Sequence, residues 1–84
     1  MKMEKSMRLE KVQQYLNERG WKFEYNEVED LGSIDFEYRG INYHIWEFLE
    51  GEAGAESNVR TGGRHEDFLG DYEEQIVEIL KMRD

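Results

Sequence analysis

Apolar and charged side chains alternate from Trp21 to Leu49, and this pattern predicts three consecutive β-strands. Eight of the eleven aromatic residues lie in that stretch. Because successive side chains of a strand point to opposite faces, the pattern predicts a sheet with one aromatic face and one charged face. We place the strands at about residues 21–28, 33–38 and 41–49, joined as a meander of antiparallel hairpins.

The connections between these strands predict their register. A two-residue loop in the second hairpin places Asp35 opposite His44. A four-residue turn at residues 29–32 in the first hairpin places Tyr25 opposite Phe36. Both hairpins then pair aromatic residues with one another, which is the consistency expected of a foldable sequence.

The alternation breaks near Trp46. Four apolar side chains occur within five residues, and a regular strand cannot turn all of them to one core: Ile45, Trp46, Phe48 and Leu49. Two arrangements remain open. Either a β-bulge turns Trp46 and Phe48 inward, or the strand is regular and both side chains lie on the outer face.

Helical periodicity predicts one helix at each end of the chain. The first helix, at about residues 7–19, begins with Ser6 as the N-cap. Its buried stripe consists of Leu9, Val12 and Leu16. The second helix, at about residues 72–82, begins at the capping-box pattern of Asp71 and Glu74.

The region between the third strand and the second helix is rich in glycine and is predicted as a loop. Within it, residues 55–60 are consistent with a short fourth strand. The sequence therefore predicts a single α+β domain over residues 1–84. Its expected architecture is an antiparallel sheet of three to four strands, with the N-terminal and C-terminal helices packed on one face.

The net charge of −9 is unevenly distributed. Residues 1–19 carry five basic and three acidic side chains, and the remaining residues carry six basic and seventeen acidic ones. Such an acidic body repels phosphate, so we expect no nucleic-acid binding. The chain has no cysteine and no apolar run of the ~20 residues that a membrane helix needs. We therefore expect a cytoplasmic protein without a membrane contact.

The candidate polar face consists of Asp35, Glu37 and His44. A carboxylate beside an imidazole is the minimum for acid–base catalysis or for a weak divalent-metal site. The alternative is a solvated charge pair on the surface, worth about 0–1 kcal/mol. We identify no catalytic set among these residues, and we expect neither a bound metal nor a cofactor.

Two further groups attract attention. If exposed, Trp46 and Phe48 form an aromatic patch among acidic residues, which is typical of a protein–protein contact. The loop of Gly62, Gly63 and Arg64 resembles an anion-binding loop in composition. That loop lacks a Walker lysine and is followed by two acidic residues, so a flexible connector is its alternative interpretation.

Three segments carry a resemblance to a group of small uncharacterised bacterial proteins: Gly32–Gly40 (GSIDFEYRG), Tyr43–Phe48 (YHIWEF) and Ala55–Arg60 (AESNVR). This resemblance implies no activity. Such sequences are sometimes labelled kinase, but this chain has no kinase motif. The order helix, three strands, loop, helix is also similar to that of type III secretion chaperones, which carry an additional strand and helix. That likeness implies dimerisation and the binding of a client protein.

Three functional hypotheses follow. The first is a small acidic binding or interaction module without catalysis, whose partner is another protein or a second copy in a weak homodimer. The second is a small metal-dependent or acid–base enzyme that uses Asp35, Glu37 and His44. The third is a nucleic-acid mimic that blocks a basic protein.

Overall fold

The computed structural model describes residues 8–83 as a five-stranded antiparallel sheet with one helix at each end of the described chain. The elements in chain order are α1 Glu10–Arg19, β1 Phe23–Val28, β2 Leu31–Tyr38, β3 Ile41–Glu50, β4 Glu52–Ser57, β5 Glu66–Leu69 and α2 Tyr72–Arg83. The strands lie side by side in sequence order, β1-β2-β3-β4-β5. The predicted α+β class is confirmed, whereas the predicted count of three to four strands was too low.

The additional strand comes from the region that the sequence predicted as a loop. In β4, which begins three residues before the predicted short strand, Ala55 lies opposite Glu47 of β3. In β5, the buried Phe68 lies opposite Ala55. Four residues beside glycines are too few to show a period of their own, so β5 is defined by its pairing with β4.

The predicted register of the second hairpin is confirmed, since Asp35 lies opposite His44. The register of the first hairpin was wrong by two residues: Tyr25 lies opposite Ile34 rather than Phe36. The connection is a two-residue turn, Glu29 and Asp30, with φ of 52° and 68°. Both values are those of the mirror-image turn that matches the twist of a hairpin, so the next two residues extend β2.

The strand β3 is paired without interruption from Ile45 to Glu50 with β4, so no bulge interrupts it near Trp46. Tyr43, Ile45 and Glu47 therefore point to the face that the helices cover, which we call the inner face. Trp46 and Phe48 point to the opposite face, which we call the outer face. This settles the alternative that the sequence left open.

The helices and the inner face enclose one apolar core. Its buried members are Leu9, Val12, Leu16, Ile34, Phe36, Tyr43, Ile45, Ala55, Val59, Phe68, Ile76 and Leu80. The three residues of the predicted helical stripe are thus buried. The predicted start at about residue 7 was wrong, because Leu9 has a left-handed φ of 54° and α1 begins only at Glu10; the predicted N-cap Ser6 lies outside the described residues. Within residues 8–83, neither helix is long and apolar enough to cross a membrane.

Candidate functional site on the outer face of the sheet

The outer face combines apolar and acidic side chains. Its apolar members are Val28, Leu31, Trp46, Phe48 and Leu69, placed by the alternation along the strands. Its carboxylates are Glu24, Asp35, Glu37, Glu50, Glu52, Glu56 and Asp67. No lysine or arginine occupies an outward-facing position within the five strands. Apart from His44, the ionisable side chains that the strands place on this face are therefore all carboxylates.

Three aromatic rings form a cluster on this face. The ring centroids of His44 and Trp46 are 5.2 Å apart, and those of Trp46 and His65 are 5.0 Å apart. The two histidine rings are 5.8 Å apart and nearly parallel. The sequence analysis singled out His44 and Trp46 but not His65, which lies in the region predicted as a loop, because only the β4–β5 connection brings His65 back over β3.

Each histidine of this aromatic cluster lies beside a carboxylate. Nδ1 of His44 is 2.6 Å from Oδ1 of Asp35, as the predicted cross-strand pairing requires. Nδ1 of His65 is buried and lies 3.5 Å from Oε2 of Glu56, which is longer than a hydrogen bond. The backbone N–H of His44 donates to Oδ1 of the buried Asn58, which fixes this part of β3.

The third member of the predicted polar face, Glu37, lies one row further along, opposite Asn42. Together with Asp35 and Glu24 it lines a shallow depression of about 220 Å³. Within residues 8–83, no three histidine, aspartate or glutamate side chains are arranged to hold a metal ion. The register of β2 and β3 therefore brings Asp35 and His44 into contact, whereas Glu37 lies in the next outward-facing cross-strand pair.

Phe48 and Leu69 meet over Gly54, which separates them in the row across β3, β4 and β5. A Cβ atom at Gly54 would lie 2.7 Å from Cδ2 of Leu69 and 2.8 Å from Cζ of Phe48. The glycine thus lets the two apolar side chains close over the backbone of β4. This contact could not be foreseen, since it depends on β5.

Carboxylates lie directly opposite each other at three places on the outer face. The cross-strand pairs are Glu24–Asp35, Glu50–Glu52 and Glu56–Asp67. Like charges in directly opposite positions destabilise a sheet. The acidic character of the outer face is therefore concentrated in pairs rather than spread evenly.

In the predicted anion loop, the backbone N–H groups of Gly62, Gly63 and Arg64 donate hydrogen bonds to neighbouring residues of the same segment. The N–H groups of Gly63 and Arg64 both donate to Oγ1 of Thr61, at 3.1 and 2.9 Å. The N–H of Gly62 donates to the backbone oxygen of Asn58 at 2.7 Å. These contacts close a compact turn and direct the three donors into the loop.

Sequence reasoning missed a buried carboxylate on the inner face. The side chain of Glu47 is 2% exposed and accepts hydrogen bonds from Arg8 Nε (2.9 Å), Gly32 N (2.9 Å) and Tyr72 OH (2.7 Å). It thereby joins β3 to β2, to α2 and to the residue that precedes Leu9. Its inward position follows from its alternation with Tyr43 and Ile45, which is the signal that could have identified it.

The surroundings of this inner-face carboxylate shift the pKa values of its neighbours. The hydrogen bond to Glu47 raises the pKa of Arg8. Burial raises the pKa of Tyr72 to about 12, and its hydrogen bond to Glu47 adds to the effect. Burial also raises the pKa of Tyr25. A fully enclosed and satisfied carboxylate of this kind holds elements together and has no open side for a substrate.

Comparisons with protein-family models, with curated proteins and with solved structures find no match for this chain. The functional conclusion therefore depends on the outer face itself.

Proposed function

We propose that this protein is a small, non-catalytic interaction module that docks a basic protein partner on the outer face of its sheet. The observation that supports the proposal is the aromatic cluster of His44, Trp46 and His65, which stands on the face that neither helix covers. Trp46 is 39% exposed and Leu69 is 46% exposed. Exposed aromatic and aliphatic side chains in one patch with a polar rim are typical of protein interfaces.

The charge of the face supports a basic partner. Seven carboxylates surround the apolar centre, so a cationic surface would be attracted and an acidic one repelled. On the inner face, α1 and α2 bury the central apolar side chains, and the exposed Ile41 and Leu49 lie apart near the two ends of β3.

The proposal is tested by site-specific photo-crosslinking. A photoreactive amino acid is placed at position 46 on the outer face or at position 82, where Met82 is 84% exposed on α2. The partner that crosslinks from position 46 is identified from source-cell extract, purified, and titrated against the wild-type chain. Trp46→Ser should then weaken binding by about tenfold or more, as expected for an aromatic side chain at the centre of an interface.

Met82→Ser is the control, since it removes a more exposed apolar side chain, on the side of the molecule where the helices lie. It should leave the affinity unchanged. If the purified partner binds Trp46→Ser as tightly as the wild type, or crosslinks from position 82 alone, the outer face is not the docking surface.

The 2.6 Å contact of Asp35 with His44 favours acid–base catalysis as a second candidate function. A carboxylate on Nδ1 leaves Nε2 of the imidazole as the base, which is the orientation that hydrolytic sites use. Hydrolysis of an activated ester should then fall by about 10²-fold or more in His44→Gln. Equal rates for His44→Gln and the wild type would remove the enzyme hypothesis that includes Glu37.

The nucleic-acid mimic and the weak homodimer stay proposals with their own measurements. A mimic would compete with duplex DNA for a basic DNA-binding protein. A homodimer of chains with a charge of −9 should strengthen with added salt, because salt screens like-charge repulsion beyond about 10 Å at 0.1 M. Sedimentation in a salt series measures this directly.

A further inference from the structure

The three opposed carboxylate pairs lower the stability of the protein when no partner is bound. In each pair two acidic side chains project from directly opposite positions, and the outward strand positions carry no lysine or arginine to separate them. All three pairs lie on the outer face, and the two helices lie on the other side. A surface of this kind gains stability when cations occupy it.

The pairs lie on both sides of a row of apolar side chains. This apolar stripe consists of Val28, Leu31, Phe48 and Leu69, with Gly54 between the last two. Two residues further along β3 and β4 lies the pair Glu50–Glu52. On the other side of the stripe lie Glu56–Asp67 and, one row beyond, Glu24–Asp35. An apolar line with acidic borders is complementary to an apolar line with basic borders.

We infer that the partner presents a basic amphipathic helix, which lies along the apolar stripe and places lysine or arginine side chains at the carboxylate pairs on both sides. This inference rests on the proposed function and specifies its partner. Helices already cover the inner face of this sheet, and a helix on the outer face would complete a three-layer arrangement.

The dimensions of the stripe set the length of the helix. Five strands spaced ~4.8 Å apart span roughly 19 Å, which corresponds to about 13 helical residues at ~1.5 Å each. The pairs lie on opposite borders of the stripe and are shared among all five strands. A single metal ion therefore cannot neutralise them, whereas one helix with basic residues on both sides of its apolar face reaches all three.

The test uses a designed probe and two matched variants of the chain. The probe is a fluorescent leucine–lysine peptide of about 14 residues with all leucines on one helical face. Two control peptides replace lysine by glutamate, or scramble the same composition. The first protein variant removes one charge from each pair: Glu24→Gln, Asp67→Asn and Glu52→Gln together.

The second protein variant removes the same number of charges from exposed positions of the helices: Glu10→Gln, Glu18→Gln and Glu74→Gln together. Glu10 stands in the first turn of α1 and Glu18 near its last turn, so their helix-dipole effects oppose each other. This variant measures what a lower net charge does by itself.

The test depends on the opposite signs of two changes in the outer-face variant, one in stability and one in affinity for the peptide. The outer-face variant should unfold at a higher urea concentration than the wild type, because it relieves the opposed pairs, and should bind the amphipathic lysine peptide about tenfold more weakly. The helix variant should change the affinity less than about threefold. A side chain with a purely structural role would change stability and binding in the same direction.

Three results would overturn the inference. They are equal affinity of the outer-face variant and the wild type, equal binding of the scrambled peptide, and a lower stability of the outer-face variant. The proposed function is judged separately, because it predicts the loss of binding in Trp46→Ser to the crosslinked partner. If that loss occurs while the outer-face variant still binds the partner normally, the outer face is supported as the docking surface and the inference of a basic helix is wrong.

Discussion

The two faces of this sheet differ in how their acidic side chains are surrounded. On the inner face, the carboxylate of Glu47 is enclosed and accepts hydrogen bonds from three neighbours. On the outer face, carboxylates stand in opposed pairs beside exposed apolar side chains. A buried charge persists only where its partners are complete, whereas exposed like charges persist at a modest cost in stability. The inner face is therefore organised for stability, whereas the outer face is the one on which we propose that a partner binds.

The largest expected difference between the faces is the loss of stability when a phenylalanine on each face is replaced by alanine. Phe36 is 6% exposed and its ring centroid lies 5.2 Å from that of Tyr43, so Phe36→Ala should cost about 3–5 kcal/mol by leaving a cavity. Phe48→Ala removes the same atoms from the half-buried outer face and should cost about 1 kcal/mol. Urea unfolding measures both. Equal losses would mean that the two faces contribute alike to stability.

The second comparison concerns carboxylates. Glu47→Ala should destabilise the fold by about 2–4 kcal/mol, because the N–H of Gly32 and the hydroxyl of Tyr72 lose their acceptor while Arg8 can rehydrate. Glu56→Ala on the outer face should change stability by less than about 0.5 kcal/mol. A tolerated Glu47→Ala would show that the enclosed carboxylate does not organise the inner face.

The third comparison uses alkaline pH. Since the pKa of Tyr72 is raised to about 12, its contribution to stability is complete below the ordinary tyrosine pKa of ~10 and is lost as the pH rises towards 12. Tyr72→Phe should therefore flatten the loss of stability in this window. Unfolding by urea between about pH 9 and about pH 12 measures the slope. An unchanged slope in Tyr72→Phe would mean that another group is responsible.

The smallest expected effect belongs to the outer-face pair of Asp35 and His44. Both side chains are partly exposed, at 41% and 34%. Asp35→Asn should therefore change stability by only about 0–1 kcal/mol. Urea unfolding near neutral pH measures the change. A loss of more than about 2 kcal/mol would place this pair with the enclosed carboxylate of the inner face rather than with a solvated surface.

Local pattern determined much of this fold. The alternation from Phe23 to Ile45 specified which side chains face the core, because a strand's side chains have a period of two. The loop after Tyr38 fixed the pairing of Asp35 with His44, since a two-residue hairpin permits one register. Val12 and Leu16 of α1 are likewise buried, as their helical spacing requires.

Features that depend on distant segments were decided by the tertiary structure. β5 has too few residues for a recognisable period and exists because β4 offers it an edge. His65 reaches Trp46 only through that pairing. The exposure of Trp46 and the enclosure of Glu47 have one cause: β3 stays regular, so neighbouring residues must face opposite sides. Sequence left both a bulge and a regular strand open at this point. Pairing with β4 selected the regular strand, because it satisfies backbone hydrogen bonds of β3 from Ile45 to Glu50 without interruption.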